Sequence, residues 1–412
     1  MKVLVVGNGA REHALAKKLY SDGAEIISAM AKRNPGIAEL SKQIEIFDIL
    51  NPEEYTRFKG IDIAYIGPDP VLAAGIADAL EAIGVPVVGP RKALARLEWS
   101  KSFAREVLAE NGINGNPEYK IARTLFDVKE FLKDHPEVAV KPEGLTGGKG
   151  VKLTGEHLRS SLEVEQYAEE CIRNDGLVIL EKKLRGREFT LQAFVDGSCV
   201  EVMPMVRDFK RAYDGDRGPN TGSMGSFSCP DHLMPDLPSS IIQKGTEIMR
   251  RTVEALRGTI GEYKGFLYGG FMSTDSGIYL IEYNARLGDP EAINVLSLLE
   301  TSLITLGEEI VDGKLSRPKF KRDATVCVYL VPVGYPENPM KDQPISVGEL
   351  HHSEALYASV YEDAGVIKTT SSRALALLAH GSSVAEARSH VYSDIKAVNG
   401  ALFYRNDIAA NI

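Results

Sequence analysis

The 412-residue chain is poor in the features that mark secreted, membrane-spanning or metal-scaffold proteins. Its four cysteines, Cys171, Cys199, Cys229 and Cys327, lie far apart, with no C-x-x-C pair and no histidine clustered beside them. That pattern argues against a disulfide frame or a zinc site and for buried or idle thiols in a reducing cytoplasm. No run of about 18 apolar residues occurs, so no membrane span is expected. The opening Lys2-Val-Leu-Val-Val6 is strand-like and lacks the basic region and cleavage site of a signal peptide. Excess basic charge is missing too. A net charge of −9 and a pI near 5.6 exclude a general nucleic-acid-binding surface. No Ser/His/Asp or Cys/His constellation is evident, and neither an internal repeat nor a low-complexity tract is present.

What is there is an ordinary globular composition, 44% hydrophobic and 25% charged, which excludes disorder. At roughly 100–200 residues per domain, the length suggests two to four domains. Residues 1–98 alternate short apolar runs (3–6, 26–29, 61–66, 85–88) with helical stretches such as 12–19 and 71–83. Alternation of this kind predicts βαβ units and a parallel sheet. A charged helix at 91–100 marks a boundary. From there to 317 the order is mixed α+β, with strands at 138–141, 151–153, 177–180 and 189–195, and a helix over 156–173. Asp275-Ser276-Gly277 predicts a hairpin turn between strands 266–273 and 278–283. Residues 318–412 read as a small α+β domain, opening with strand 324–331 and closing with strand 374–378 and helix 384–398.

Three glycine-rich or polar segments invite chemistry. Gly7-Asn8-Gly9-Ala10-Arg11-Glu12 joins the first strand to a helix, whose N-terminus offers free amides to a phosphate. Glu12 replaces the third glycine of a dinucleotide fingerprint, and no acidic residue ends the second strand, which disfavours NAD. A monophosphate site and a bare tight turn both remain open here. Gly144–Gly150 lies between two strands, just after Lys141. The Walker A spacing is absent, but such a loop folds over phosphates like a flap, with Lys149 reaching them. Side chains alternate along a strand, so Glu282 and Asn284 share one face and Tyr283 takes the other. One carboxylate and one amide oxygen, with Arg286 beyond them, suit a magnesium-type cation shared with substrate phosphates. Arg207–Arg211 leads into the polar, glycine-rich Gly218–Gly225, a pattern of either a surface linker or an active-site loop.

These segments resemble, in order, those of the phosphoribosylamine–glycine ligase family of ATP-grasp enzymes. The resemblance rests on Gly7–Leu15, Lys141–Val151, Asp208–Ser228 and Ile281–Glu291, and on Leu97–Lys101 and Tyr404–Ile408. It implies three parts: an N-terminal α/β domain (1–98), an ATP-grasp domain (99–317) with a mobile lid at about 119–185, and a C-terminal α+β domain (318–412). It implies ATP-dependent joining of glycine to 5-phosphoribosylamine through glycyl phosphate, with Mg²⁺ or Mn²⁺, in a monomer or weak homodimer. By the same resemblance, Lys101, Lys141 and Lys149 meet ATP phosphates. Glu181, Lys183 and Leu184 belong to the adenine hinge, and Glu188 binds the ribose. Glu282 and Asn284 are the metal ligands. Asp208, Asn220, Thr221, Arg286, Gly288 and Asp289 surround glycine and its acyl phosphate, with Arg286, Asp208 and Lys141 as catalytic groups. Asn8, Gly9 and Glu12 lie near phosphoribosylamine. Ala10 and Ser223 stand where the family has glycine, Trp99 where glycine is common, and Asp69 where it has glutamate. Rival readings are an ATP-grasp carboxylase, a nucleotide-dependent oxidoreductase and an inactive nucleotide-binding module.

Overall fold

A computed structural model describes residues 1–145, 150–410 and 412. The N-terminal segment forms a five-stranded, all-parallel sheet in the order Ser41–Ile46, Glu25–Met30, Lys2–Val6, Ile63–Ile66, Val87–Val88. Val3 to Val6 are fully buried, as expected for a central strand covered on both faces. The helix Ala10–Ser21 follows the first strand and ends one residue before Asp22, with Gly23 at φ +92° just beyond. The single helix expected over 71–83 is two, Asp69–Ala74 and Ile76–Ala82. Gly75 separates them at φ +90°, a left-handed conformation that stops a helix cheaply only at glycine.

Two four-stranded antiparallel sheets, one with longer strands than the other, make most of the central region. The larger has the order Val200–Val202, Arg187–Asp196, Lys264–Thr274, Gly277–Asn284. Its last two strands are the expected hairpin, with Thr274 opposite Gly277 and Tyr268 opposite Asn284. A bulge beside Gly270 puts Glu282 opposite Gly270. The smaller sheet, Tyr119–Ala122, Val178–Lys182, Val138–Pro142, Lys152–Leu153, packs on helices Leu125–Asp134 and Ser161–Asp175. It has its own core, including Val138, Val140, Val164, Ala168 and Leu180, separate from the main one. The second helix starts five residues later than expected. Ser160 caps it by accepting from the Glu163 amide, which fixes the first turn there.

The C-terminal segment is richer in strands than its sequence suggests. Arg207–Asp208 and Gly225–Ser228 pair with each other, and the latter with Ala324–Pro332. That strand continues through Leu375–Gly381 to Ser353–Tyr357. One sheet thus joins a polar loop of the central region to the C-terminal segment. A second small sheet holds Val360–Asp363, Val366–Thr369, Pro344–Val347 and Val398–Gly400. The last helix is Val384–Asp394, shorter than expected, followed by a 3₁₀ turn. No helix among the described residues is long and apolar enough to cross a membrane.

Candidate active site

Hairpin strand Gly277–Asn284 carries the site's centre. Tyr283 is buried, its hydroxyl 2.8 Å from that of Thr252, so Glu282 and Asn284 take the other face and are partly accessible. The carboxylate of Glu282 acts on Lys101, Lys141 and Lys210, in each case favouring the lysine's charge. Three lysines distant in sequence thus feel the field of one carboxylate.

Lys141, next to last in strand Val138–Pro142, is 5% exposed. Its ammonium donates to the Ile281 carbonyl at 2.9 Å and pairs with Glu181 at 2.8 Å. Burial lowers its pKa, and Glu181 opposes that drop. Arg105 reaches the same carboxylate at 2.8 Å and donates to the carbonyls of Leu280 and Ile281. The side chain of Glu181 is thus bound to two cations. Lys101 opens helix Lys101–Glu110 and donates to the Gly144 carbonyl at 2.7 Å. Burial lowers its pKa too. Glu143 receives the hydroxyls of Ser100 and Ser102 at 2.6 and 2.8 Å, fastening this helix to the segment entering the glycine-rich loop. Lys149, expected in that loop, lies outside the described residues. Lys183 donates to the Thr154 carbonyl and pairs with Glu156 at 3.0 Å, while Leu184 is half-buried. Glu188 is exposed, 3.7 Å from Lys210.

The turn after Asn284 is held from every side. Glu98 accepts from the Ala285 amide and pairs with Arg286, both at 2.8 Å. Burial pushes the Glu98 carboxyl up to about 7, against the pull of Arg286. Arg286 also donates to the Asn284 side-chain oxygen at 3.0 Å and lies 3.9 Å from Asp69. Arg11 donates to the Leu287 carbonyl at 3.0 Å. The Gly288 amide donates to Gln192 at 2.7 Å. A side chain at Gly288 would strike the Glu291 carboxylate at 2.5 Å and the Tyr268 ring at 3.0 Å. Asp289 is gripped by Arg373 at 3.0 Å and by the Tyr329 hydroxyl. Asp208, on the short strand Arg207–Asp208, faces Lys210 and raises its pKa. Glu291, 3% exposed, is pushed up to about 7 by burial and then by Asp208. In the polar loop Thr221 is buried, its amide and hydroxyl donating to the Lys210 carbonyl at 2.7 and 2.9 Å, while Asn220 is exposed.

The N-terminal turn is closed by its own acid. Glu12 is 2% exposed, accepts from the Gly9 amide at 2.6 Å and pairs with Arg11 at 2.7 Å. It fills the space that side chains at Gly7, Gly9 and Gly67 would need. The acid that breaks the dinucleotide fingerprint is thus a cap for its own helix, and the Gly9 amide is already satisfied. Asn8 accepts from the Ala31 amide at 3.2 Å and stays partly accessible. Sequence reasoning missed Arg105, Glu98, Gln192 and Arg373. Glu98 stood beside Lys101 in a quoted motif, while the other three carry no local signal.

Lysines around a strand-borne carboxylate, between a main sheet and a smaller sheet with its own core, define an ATP-grasp enzyme. Family models of phosphoribosylglycinamide synthetase match in three pieces: the N domain over residues 1–98, the ATP-grasp (A) domain over 99–292 and the C domain over 325–411. Phosphoribosylamine–glycine ligase from Methanocella arvoryzae is 45% identical over 99% of this chain and 96% of its own length. The crystal structure of phosphoribosylamine–glycine ligase from Thermotoga maritima superposes with a TM-score of 0.87, at 30% identity, covering 99% of this chain and 100% of the other. The biotin carboxylase domain of Hydrogenobacter thermophilus 2-oxoglutarate carboxylase is 15% identical. It has a TM-score of 0.75 over 97% of this chain and 90% of its own, and it shares the fold alone. The chain belongs to the phosphoribosylamine–glycine ligase family.

Proposed function

We infer that this chain joins glycine to 5-phosphoribosylamine at the expense of ATP, giving glycinamide ribonucleotide, ADP and phosphate, a step of purine biosynthesis. The observation that carries this reading is the full-length match to the family across all three of its domains.

A carboxylate is a poor acyl donor. In the proposed route a glycine oxygen attacks the γ-phosphorus of ATP and ADP leaves. The amine nitrogen then attacks the carbonyl carbon of glycyl phosphate, losing a proton as phosphate departs. The protein's contribution is positioning and charge stabilisation. We assign Lys101 and Lys141 to the ATP phosphates, with Lys149 above them. The backbone at Glu181, Lys183 and Leu184 takes the adenine edge, and Glu188 the ribose. Arg286 and Asp208 flank the transferring group. Asn220, Thr221, Gly288 and Asp289 shape the glycine end. Asn8 and Gly9 border the amine substrate, with Glu12 holding their turn.

Glu282 and Asn284 supply hard oxygens on one strand face, and a cation would take the Asn284 oxygen from Arg286, which donates to it at 3.0 Å. That donor set fits a cation of the Mg²⁺ or Mn²⁺ kind, which takes few protein oxygens and completes its shell on phosphates. When bound, it would neutralise charge on the β- and γ-phosphates. Free, mostly buried thiols suit the cytoplasm, and the small substrates need no nucleic acid or membrane partner. We take the working unit to be a monomer or weak homodimer.

The test is ADP release measured with and without glycine and phosphoribosylamine. Turnover needing both substrates is expected, with a loss of about 10²-fold or more in Glu282→Ala. ADP release indifferent to glycine would overturn the assignment, and unchanged turnover in the variant would remove the cation site.

A further inference from the structure

Arg373 lies on no motif quoted above, yet its guanidinium sits at the meeting point of the two loops assigned to glycine. Its Nη1 donates to the Gly222 carbonyl, to the Ser223 carbonyl at 3.2 Å and to the Asp289 carbonyl at 3.1 Å. Its Nη2 pairs with the Asp289 carboxylate at 3.0 Å. The guanidinium carbon lies 4.2 Å from the centre of the Tyr329 ring, and the Tyr329 hydroxyl donates to the other Asp289 oxygen. Asp289 therefore spends both carboxylate oxygens on the clamp. Gly222 lets the plane approach, since a Cβ there would meet the guanidinium at 3.2 Å. Ser223 needs holding: its φ of +93° is unfavourable for any residue with a side chain.

We propose that Arg373 is a positioning residue, locking the 220–223 loop and the turn at Asp289 into one rigid wall at the carboxylate-substrate end of the site. The proposal rests on the glycine assignment above. Only a guanidinium suits the place. Two guanidinium nitrogens, one shared among three carbonyls and one on a carboxylate, reach all four acceptors at once, a spread of donors that a lysine ammonium cannot reproduce. Arg373 touches neither Lys101, Lys141 nor Glu181, so the nucleotide end should be indifferent to it.

The test compares wild type, Arg373→Lys and Arg373→Ala in glycine-dependent ADP release, varying glycine and ATP separately. Expected is a rise in KM for glycine, or a fall in kcat/KM for glycine, of about 10²-fold in both variants, with KM for ATP unchanged within about twofold. Guanidinium ion at low, non-denaturing concentration should restore part of the lost activity to Arg373→Ala and none to Arg373→Lys, whose side chain fills the space. Glycine parameters near wild type in either folded variant would overturn the proposal. So would an equal rise for glycine and ATP, which marks a merely structural staple. If the alanine variant fails to fold, the lysine variant decides alone. A wild type without glycine dependence would instead sink the assigned reaction, a separate outcome.

Discussion

Glu181 stands 2.8 Å from both Arg105 and Lys141, and all three are nearly fully buried. Removing the acid leaves two cations without their partner in a place water barely reaches. Glu181→Ala should therefore cost about 3–5 kcal/mol of stability, read by urea unfolding. A loss below about 1 kcal/mol would show that Lys141 relocates freely. Lys141 and Glu181 stand out in the sequence, but their pairing and the part of Arg105 in it do not, because the three are far apart along the chain. Glu282 and Asn284 were legible for the opposite reason. Two residues apart on a strand is a local rule, and Tyr283 buried between them bears it out. In the sequence Glu12 is a departure from the dinucleotide fingerprint. Its part in capping its own helix was hidden because the capping acid and the glycines around it share one short turn.

Among the elements, the small sheet and its two helices stand apart, since the core they enclose does not merge with the main one. Few residues stabilise that unit, so one cavity should be felt locally. Leu180, fully buried on strand Val178–Lys182, is a suitable probe. Leu180→Ala should cost about 2–5 kcal/mol within this unit. Hydrogen exchange should speed up over residues 119–185, with the main-sheet amides unchanged. Equal loss of protection in both would mean that the unit has no independent stability. The elements themselves were mostly readable. The N-terminal alternation and the turn at Asp275–Gly277 gave strands and hairpin near their observed places. The pairing of Gly225–Ser228 with Arg207–Asp208 on one side and Ala324–Pro332 on the other was not, because strands of two to four residues carry no periodicity and the second partner lies about a hundred residues away.

Across the whole molecule, the N- and C-terminal segments meet over His13 and Asn34. Asn34, fully buried, donates to the carbonyls of Asn8, Tyr357 and Ala358. The Tyr357 amide donates to His13 at 2.9 Å. Burial, aided by Lys17, pushes His13 down from 6.5 to about 4. Between those values the unfolded chain takes up a proton that the native chain refuses, so stability rises with pH through this window and is lost as pH falls. The contribution is of order 3 kcal/mol from pH 6.5 to 4. Chemical denaturation at pH 7 and 5 should show a steeper loss in wild type than in His13→Gln, which keeps a hydrogen-bond acceptor but has no titrating group. Parallel losses would remove His13 from the account.

The five residues from Ala285 to Asp289 are fastened by Glu98 and Arg11 at one end of the chain, by Gln192 in its middle and by Arg373 near its close. A chain clipped before Arg373 keeps the residues of its nucleotide cradle but loses this last anchor of the bend. Such a copy is expected to hold ATP without committing it. Completion of the polypeptide thereby becomes a condition for making a short-lived, water-sensitive anhydride.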